Sequence, residues 1–300
     1  MNYDEALKIL DKKTVSNEEM LNVLGNFAGC LNEEMISKLQ KHSKMLAKMF
    51  DCEEEDLYFG DLVNKYPYYE VVFGDFVISD NKNLEEYNSC KLTNVLGNIK
   101  VCNSELDSLG FVKNVFGSVC IENSNLYDLG GLTFVRDNID IYNSKVATFK
   151  SFKRYKPVVS IGVDEEGVYQ TINLVGERGV LIGDSLFVNG STVESFSGIQ
   201  GVDGSVNLVN NKITDMNYLS GNSYTYVEKC EIGKFTTGIG NKLIVKNSTI
   251  NEYDSCFQLF KEEVCWENNN IPIKEIEEDL MTRLHARIVD LENDAKHNKN

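Results

Sequence analysis

The sequence predicts an α+β repeat protein, a β-solenoid of about nine coils with a parallel sheet, flanked by N-terminal helices and a C-terminal helix. Three observations carry this. A unit repeats in tandem from Leu96 to Phe149 at a spacing of 20 residues. Each unit joins a short apolar alternation to an Asn-Ser step and two further apolar residues. The flanks lack that unit and space their apolar residues three and four apart, as helices do.

The unit itself comes first. Ile99-x-Val101 leads to Asn103-Ser104, then Leu106 and Leu109. Val119-x-Ile121 leads to Asn123-Ser124, then Leu126 and Leu129. Ile139-x-Ile141 leads to Asn143-Ser144, then Val146 and Phe149. Weaker copies start at Phe76-x-Ile78, Leu186-x-Val188, Val206-x-Leu208, Thr225-x-Val227 and Leu243-x-Val245. Ile161-x-Val163 best fits one longer, degenerate copy.

The alternating pair reads as a short strand with two inward side chains. The Asn-Ser step turns the chain, and its small polar side chains can bond backbone of their own or the adjacent coil. The next two apolar residues face the same core from the opposite wall. One coil cannot bury such a face, but stacked coils can.

Leu96-x-x-Ile99-x-Val101-x-x-Ser104-x-Leu106 resembles the leucine-rich repeat, and the copy starting at Phe116 matches equally well. Gly97, Gly117, Gly183 and Gly204, with the Asn-Ser turn, are similar to the coils of receptor L domains. The resemblance covers roughly residues 70 to 255. It implies a right-handed coil. The Asn position of the repeat is mostly Ser here, with Asn211 and Cys230 as exceptions. Such scaffolds host many unrelated binding roles, so the likeness speaks to fold more than to function.

The flanks divide the chain into residues 1–66, 67–255 and 256–300. The first segment reads as helices. One holds Ala6, Leu7 and Leu10. A second has a capped start at Ser16, a third begins at Asn32 and runs through Met49, and a fourth covers Asp56 to Tyr66. They either cap the first coil or form a separate binding domain. Lys150 to Gly183 is expected to project a loop from the longer coil. Cys256, Phe257, Leu259, Phe260, Val264 and Trp266 form an apolar C-terminal cap. A long amphipathic helix then carries Ile276, Leu280, Leu284, Ile288 and Leu291, and packs on the body or pairs two copies into a homodimer.

Composition narrows the function. The chain has 300 residues and 42% hydrophobic content, enough for a substantial core. Its formal charge is −16, which argues against direct nucleic-acid binding and for a basic partner. No signal-like start and no long apolar run is present, and the eight cysteines show no C-x-x-C spacing. The expectation is a cytoplasmic protein with reduced thiols.

No nucleophile elbow, phosphate loop or zinc-helix motif occurs, and the three histidines lie apart from other metal-type residues. The expectation is therefore no catalytic residue, no metal and no cofactor. The outward strand positions are more informative. Phe187, Val209, Tyr224, Tyr226 and Ile244 form an apolar and aromatic patch, flanked by Tyr142. Glu122, Asp140 and Asp164 add carboxylates from what read as neighbouring coils. The first expectation is a non-enzymatic protein–protein interaction module: an inhibitor, immunity-type protein or adaptor of microbial or viral origin. One alternative is a carbohydrate-binding or carbohydrate-acting β-helix using the carboxylates. Another is an acidic nucleic-acid mimic that blocks a basic nucleic-acid-binding protein.

Overall fold

The computed structural model describes residues 1–65, 68–80, 91–106, 108–149, 161–163, 169–171, 179–236, 238, 240–253 and 260–272. Among them, helices α1 (Tyr3–Leu10), α2 (Asn17–Phe27), α3 (Glu33–Gln40) and α4 (Ser43–Phe50) precede a parallel β-solenoid of about seven turns.

Each 20-residue unit makes three strands, as in Asn94–Val95, Ile99–Cys102 and Glu105–Leu106. Stacking them gives three sheets. A long sheet of ten strands runs from Leu62–Val63 to Phe260–Glu267. A second sheet has seven, from Leu57–Phe59 to Ile199–Val202. A third has seven, from Glu105–Leu106 to Thr249–Tyr253. The single parallel sheet implied by the repeat pattern thus becomes three. The extra strands of the tandem units are only two residues long, too short for an alternation to show.

All three walls feed one core. Ile99, Val101, Val119, Ile121, Ile139 and Ile141 enter from the long sheet. Val95, Val115 and Val135 enter from the second, and Leu106, Leu126 and Val146 from the third. Phe149 stacks on Phe196 with ring centres 5.4 Å apart. Apart from Ile161-x-Val163, the expected inward pairs are the ones found.

The corner after the long sheet explains the Asn-Ser step. Asn103, Asn123 and Asn143 have φ of 50°, 49° and 47°. Asparagine tolerates this left-handed conformation better than most side chains. The following serines are buried and form a column. Ser124 N–H donates to Ser144 Oγ at 3.0 Å, and Ser144 N–H donates to Ser191 Oγ at 3.1 Å. Asn211 and Cys230 take the same place in later coils. A second polar column at the opposite corner of the long sheet runs through Asp75, Asn98, Ser118, Asn138 and Ser185. There Gly97 is required: a Cβ on it would lie 2.3 Å from the Gly74 carbonyl oxygen of the coil below.

The helical segment departs from expectation in two places. The helix from Asn32 to Met49 breaks into α3 and α4 at Lys41-His42, where His42 Nε2 sits 2.9 Å from the Leu10 carbonyl. The fourth helix expected from Asp56 to Tyr66 does not form over the described residues 57–65. Leu57–Phe59 and Leu62–Val63 instead pair with Val71–Phe73 and Phe76–Ser79 and begin the solenoid. Sheet pairing overrides the local pattern. The helices lie against the second sheet. Their core packs against Val71, Phe73, Leu96 and Phe116, outward residues of successive coils in the second sheet. Gly29 N–H donates to the Leu96 carbonyl.

Two further expectations change. Ile161–Val163 forms no coil. It pairs antiparallel with Tyr169–Thr171, while Ile139–Tyr142 pairs directly with Leu186–Asn189. At the C-terminal end, Phe260–Glu267 joins the long sheet beside Gly240–Lys246. Trp266 meets Phe235 edge-on at 5.6 Å, and its Nε1–H donates to the Ile271 carbonyl at 2.7 Å. Asn269 and Asn270 continue the corner column by accepting from Ser248 and Ile250. Cys256, Phe257, Leu259 and the helix from Ile276 to Leu291 lie outside the described residues. Among the described residues no helix is long and apolar enough to cross a membrane.

Candidate functional site

The outer face of the long sheet collects nearly all the expected site residues. Its strands are four residues long in the tandem units and five to eight at the C-terminal end. Side chains alternate inward and outward, so each strand presents a middle and a final residue on the outside. Parallel in-register pairing stacks these into two ladders.

The first ladder reads Val77, Lys100, Cys120, Asp140, Phe187, Asn207, Tyr226, Ile244, Cys265. The second reads Ser79, Cys102, Glu122, Tyr142, Asn189, Val209, Glu228, Lys246, Glu267. Tyr224 stands one outward position earlier, opposite Lys242. Phe187, Tyr226 and Ile244 therefore share a ladder with Asp140. Val209, Tyr142 and Glu122 share the other. Asp164 lies outside the described residues. Gly162, two residues before it, belongs to the antiparallel hairpin, not to the long sheet.

Removing the hairpin from the sheet has a consequence for the site. Phe187, not Gly162, is the neighbour of Asp140. The carboxylates of Glu122 and Asp140 come from adjacent strands but from different ladders. Tyr142 is opposite Glu122, and Cys120 is opposite Asp140.

The electrostatics differ along the face. Burial pushes the Asp140 carboxyl above its ordinary range. Burial, then the Asp140 charge, pushes the Cys120 thiol up to about 11, so it stays protonated at neutral pH. Neither Asp140 nor Glu122 has an ion-pair partner among the described residues. Further along, charges are matched: Lys242 pairs with Glu263 at 2.5 Å and Lys246 with Glu267 at 3.0 Å. Tyr226 donates its hydroxyl to Glu228 Oε2 at 2.9 Å, which raises the phenol's pKa. A shallow cleft opens at this end, lined by Asn207, Tyr224, Tyr226, Lys242 and Ile244.

Asn207 is the residue that sequence reasoning passed over. It occupies a middle strand position between Phe187 and Tyr226, which spacing alone reveals. Only the packing shows that its Nδ2 is closed to solvent and has no hydrogen-bond partner among the described residues.

The face offers aromatic rings, an amide and two carboxylates without ion-pair partners among the described residues. Among the described residues, no group of three or more His, Cys, Asp and Glu is placed to hold a metal ion. No family model, no curated protein and no solved structure matches the chain.

Proposed function

We propose that this protein is a non-enzymatic binding module whose partner, another protein, sits on the outer face of the long sheet. The observation that carries the reading is the first outward ladder. It lines up Phe187, Tyr226 and Ile244 on a rigid parallel sheet, with Tyr224 and Val209 beside them. Large aromatic anchors on a pre-ordered surface lose little entropy on binding and dominate interface energies. The N-terminal helices cover the second sheet, so they leave this face open.

Asp140 and Glu122, without ion-pair partners among the described residues, and the chain's charge of −16 suit a basic partner. An inhibitor or adaptor role fits these features, and the free cysteines fit a reducing cytoplasm. A right-handed, leucine-rich-repeat-like winding rests on the spacing of Leu96, Ile99, Val101 and Leu106. The binding face does not depend on it.

The test is affinity capture from source-cell lysate at low and high salt, repeated with a Phe187→Ala/Tyr226→Ala double variant. Two anchors of about 2 kcal/mol each would weaken binding by 100-fold or more. A stoichiometric partner held equally well by the double variant would refute the site.

A further inference from the structure

A second site lies in the helical segment, away from the long-sheet face, and does not depend on that face. A cleft of about 430 Å³ opens between the α1–α2 loop and the corner where α3 gives way to α4. Lys13 and Thr14 line it from the loop, Lys41, Ser43 and Lys44 from the corner, and Glu54 from beyond α4.

One contact brings these lysines together. His42 Nε2 sits 2.9 Å from the Leu10 carbonyl oxygen and ties the α3–α4 corner to the C-terminal end of α1. Lys13 follows three residues after Leu10, so loop and corner become opposite walls of one cleft.

The charge in this cleft runs against that of the chain. Nearby lysines are matched: Lys12 pairs with Glu19, and Lys38 with Asp11 at 2.5 Å. Lys13, Lys41 and Lys44 are exposed and have no ion-pair partner among the described residues. Glu54 is the one carboxylate among the described lining residues, and its Oε1 already accepts a hydrogen bond from Ser43 Oγ. With His42 neutral, three lysines and one glutamate leave the cleft two positive charges in excess, in a chain of formal charge −16. Like charges gathered in one cleft repel, and a bound anion relieves that repulsion.

We propose that this cleft binds a phosphate monoester of a small molecule. Such a group carries about −1.5 to −2 charges at neutral pH, which matches the excess in the cleft. Its three acceptor oxygens suit the lysine ammoniums, which only donate, and the hydroxyls of Thr14 and Ser43. The cleft is also larger than a bare ion needs and falls within the range of about 300–1,000 Å³ common for small-molecule sites. Val15 and Met45 supply apolar surface to its wall, against which the organic part of the ester rests.

The test titrates the full chain with inorganic phosphate, glucose 6-phosphate and adenosine monophosphate, by calorimetry and by thermal melts. Sodium acetate and sodium chloride at matched ionic strength are the controls. At least one monoester should bind saturably, raise the melting temperature above both controls and bind tenfold or more tightly than inorganic phosphate. Lys13→Met should weaken that binding about fivefold, and Lys41→Met/Lys44→Met about 20-fold. Lys48→Met, on α4 but outside the cleft, should leave it unchanged. Without ligand, the Lys13→Met and Lys41→Met/Lys44→Met proteins should melt at or above the parent, because they remove repelling charges.

Equal melting temperatures in monoester and chloride would reduce the effect to bulk screening and overturn the proposal, as would the absence of saturable binding. Inorganic phosphate binding as tightly as both monoesters would show a site for the free ion and overturn the assignment to an ester. Affinity unchanged by the cleft variants, or lost equally with Lys48→Met, would place the anion elsewhere. A lower melting temperature of the ligand-free cleft variants would show that these lysines already have partners in solution, which overturns the charge argument.

Discussion

Ser144→Ala tests the polar column that holds one coil to the next. Ser144 is 5% exposed. Its Oγ accepts the Ser124 N–H at 3.0 Å and donates to the Tyr142 carbonyl at 2.7 Å, with the Ile121 carbonyl at 3.4 Å. Alanine removes all three contacts. The Tyr142 carbonyl keeps the Asn123 N–H at 3.0 Å, so it remains satisfied. The buried Ser124 N–H loses its acceptor. Leaving one such donor unpaired costs about 1–3 kcal/mol. At roughly 2–4 °C per kcal/mol for chains somewhat shorter than this one, the melting temperature falls by about 5 °C. The column also supplies its own controls. Asn211 holds the equivalent place, accepting from Ser191 N–H at 2.9 Å and donating to the Val188 carbonyl at 2.8 Å. Cys230 does so more weakly, with its thiol 3.4 Å from the Glu228 and Leu208 carbonyls. Ser144→Asn is therefore the mildest change, Ser144→Cys intermediate and Ser144→Ala the worst. Thermal melts rank the three, and hydrogen exchange reads the Ser124 amide directly. Equal melting temperatures with a Ser124 amide still protected in Ser144→Ala would refute the reasoning.

Two further outcomes rest on the geometry. Gly97→Ala drives a Cβ to within 2.3 Å of the Gly74 carbonyl oxygen. Backbone on both sides cannot yield, so a loss above about 3 kcal/mol is expected. A soluble variant with the parent melting temperature would contradict this. Asp140→Asn works in the opposite direction. Burial holds the Asp140 carboxyl above its ordinary value, so the folded chain binds that proton more tightly than the unfolded chain. The charged form thus lowers stability at neutral pH, and the loss is recovered as pH falls through the folded pKa towards the unfolded one. Asp140→Asn should melt higher than the parent at pH 7, with the difference shrinking in acid. A lower melting temperature at pH 7 would show that the carboxylate has a partner in solution.

The sequence by itself determined the period, the inward pairs and the corner chemistry. Val101, Ile121 and Ile141 repeat every 20 residues, and a stack of coils is the way such short units bury their apolar faces. Asn followed by Ser marks a left-handed turn with a small buried acceptor, and that is what Asn123-Ser124 and Asn143-Ser144 provide. The outward aromatic residues were legible for the same reason: inward neighbours of known parity leave the middle position outside.

Only the tertiary structure decided what pairs with what. Two-residue strands such as Glu105–Leu106 carry no periodic signal, so three sheets emerge from register rather than from pattern. Ile161-x-Val163 has the right alternation but folds back on Tyr169–Thr171, because strand pairing is chosen by non-local contacts that a local pattern does not encode. That choice sets Phe187 beside Asp140. The side-on docking of the helices has the same origin. Leu96 and Phe116 read as ordinary repeat residues, and only the assembled second sheet shows them pointing outward, where α1 to α4 bury them.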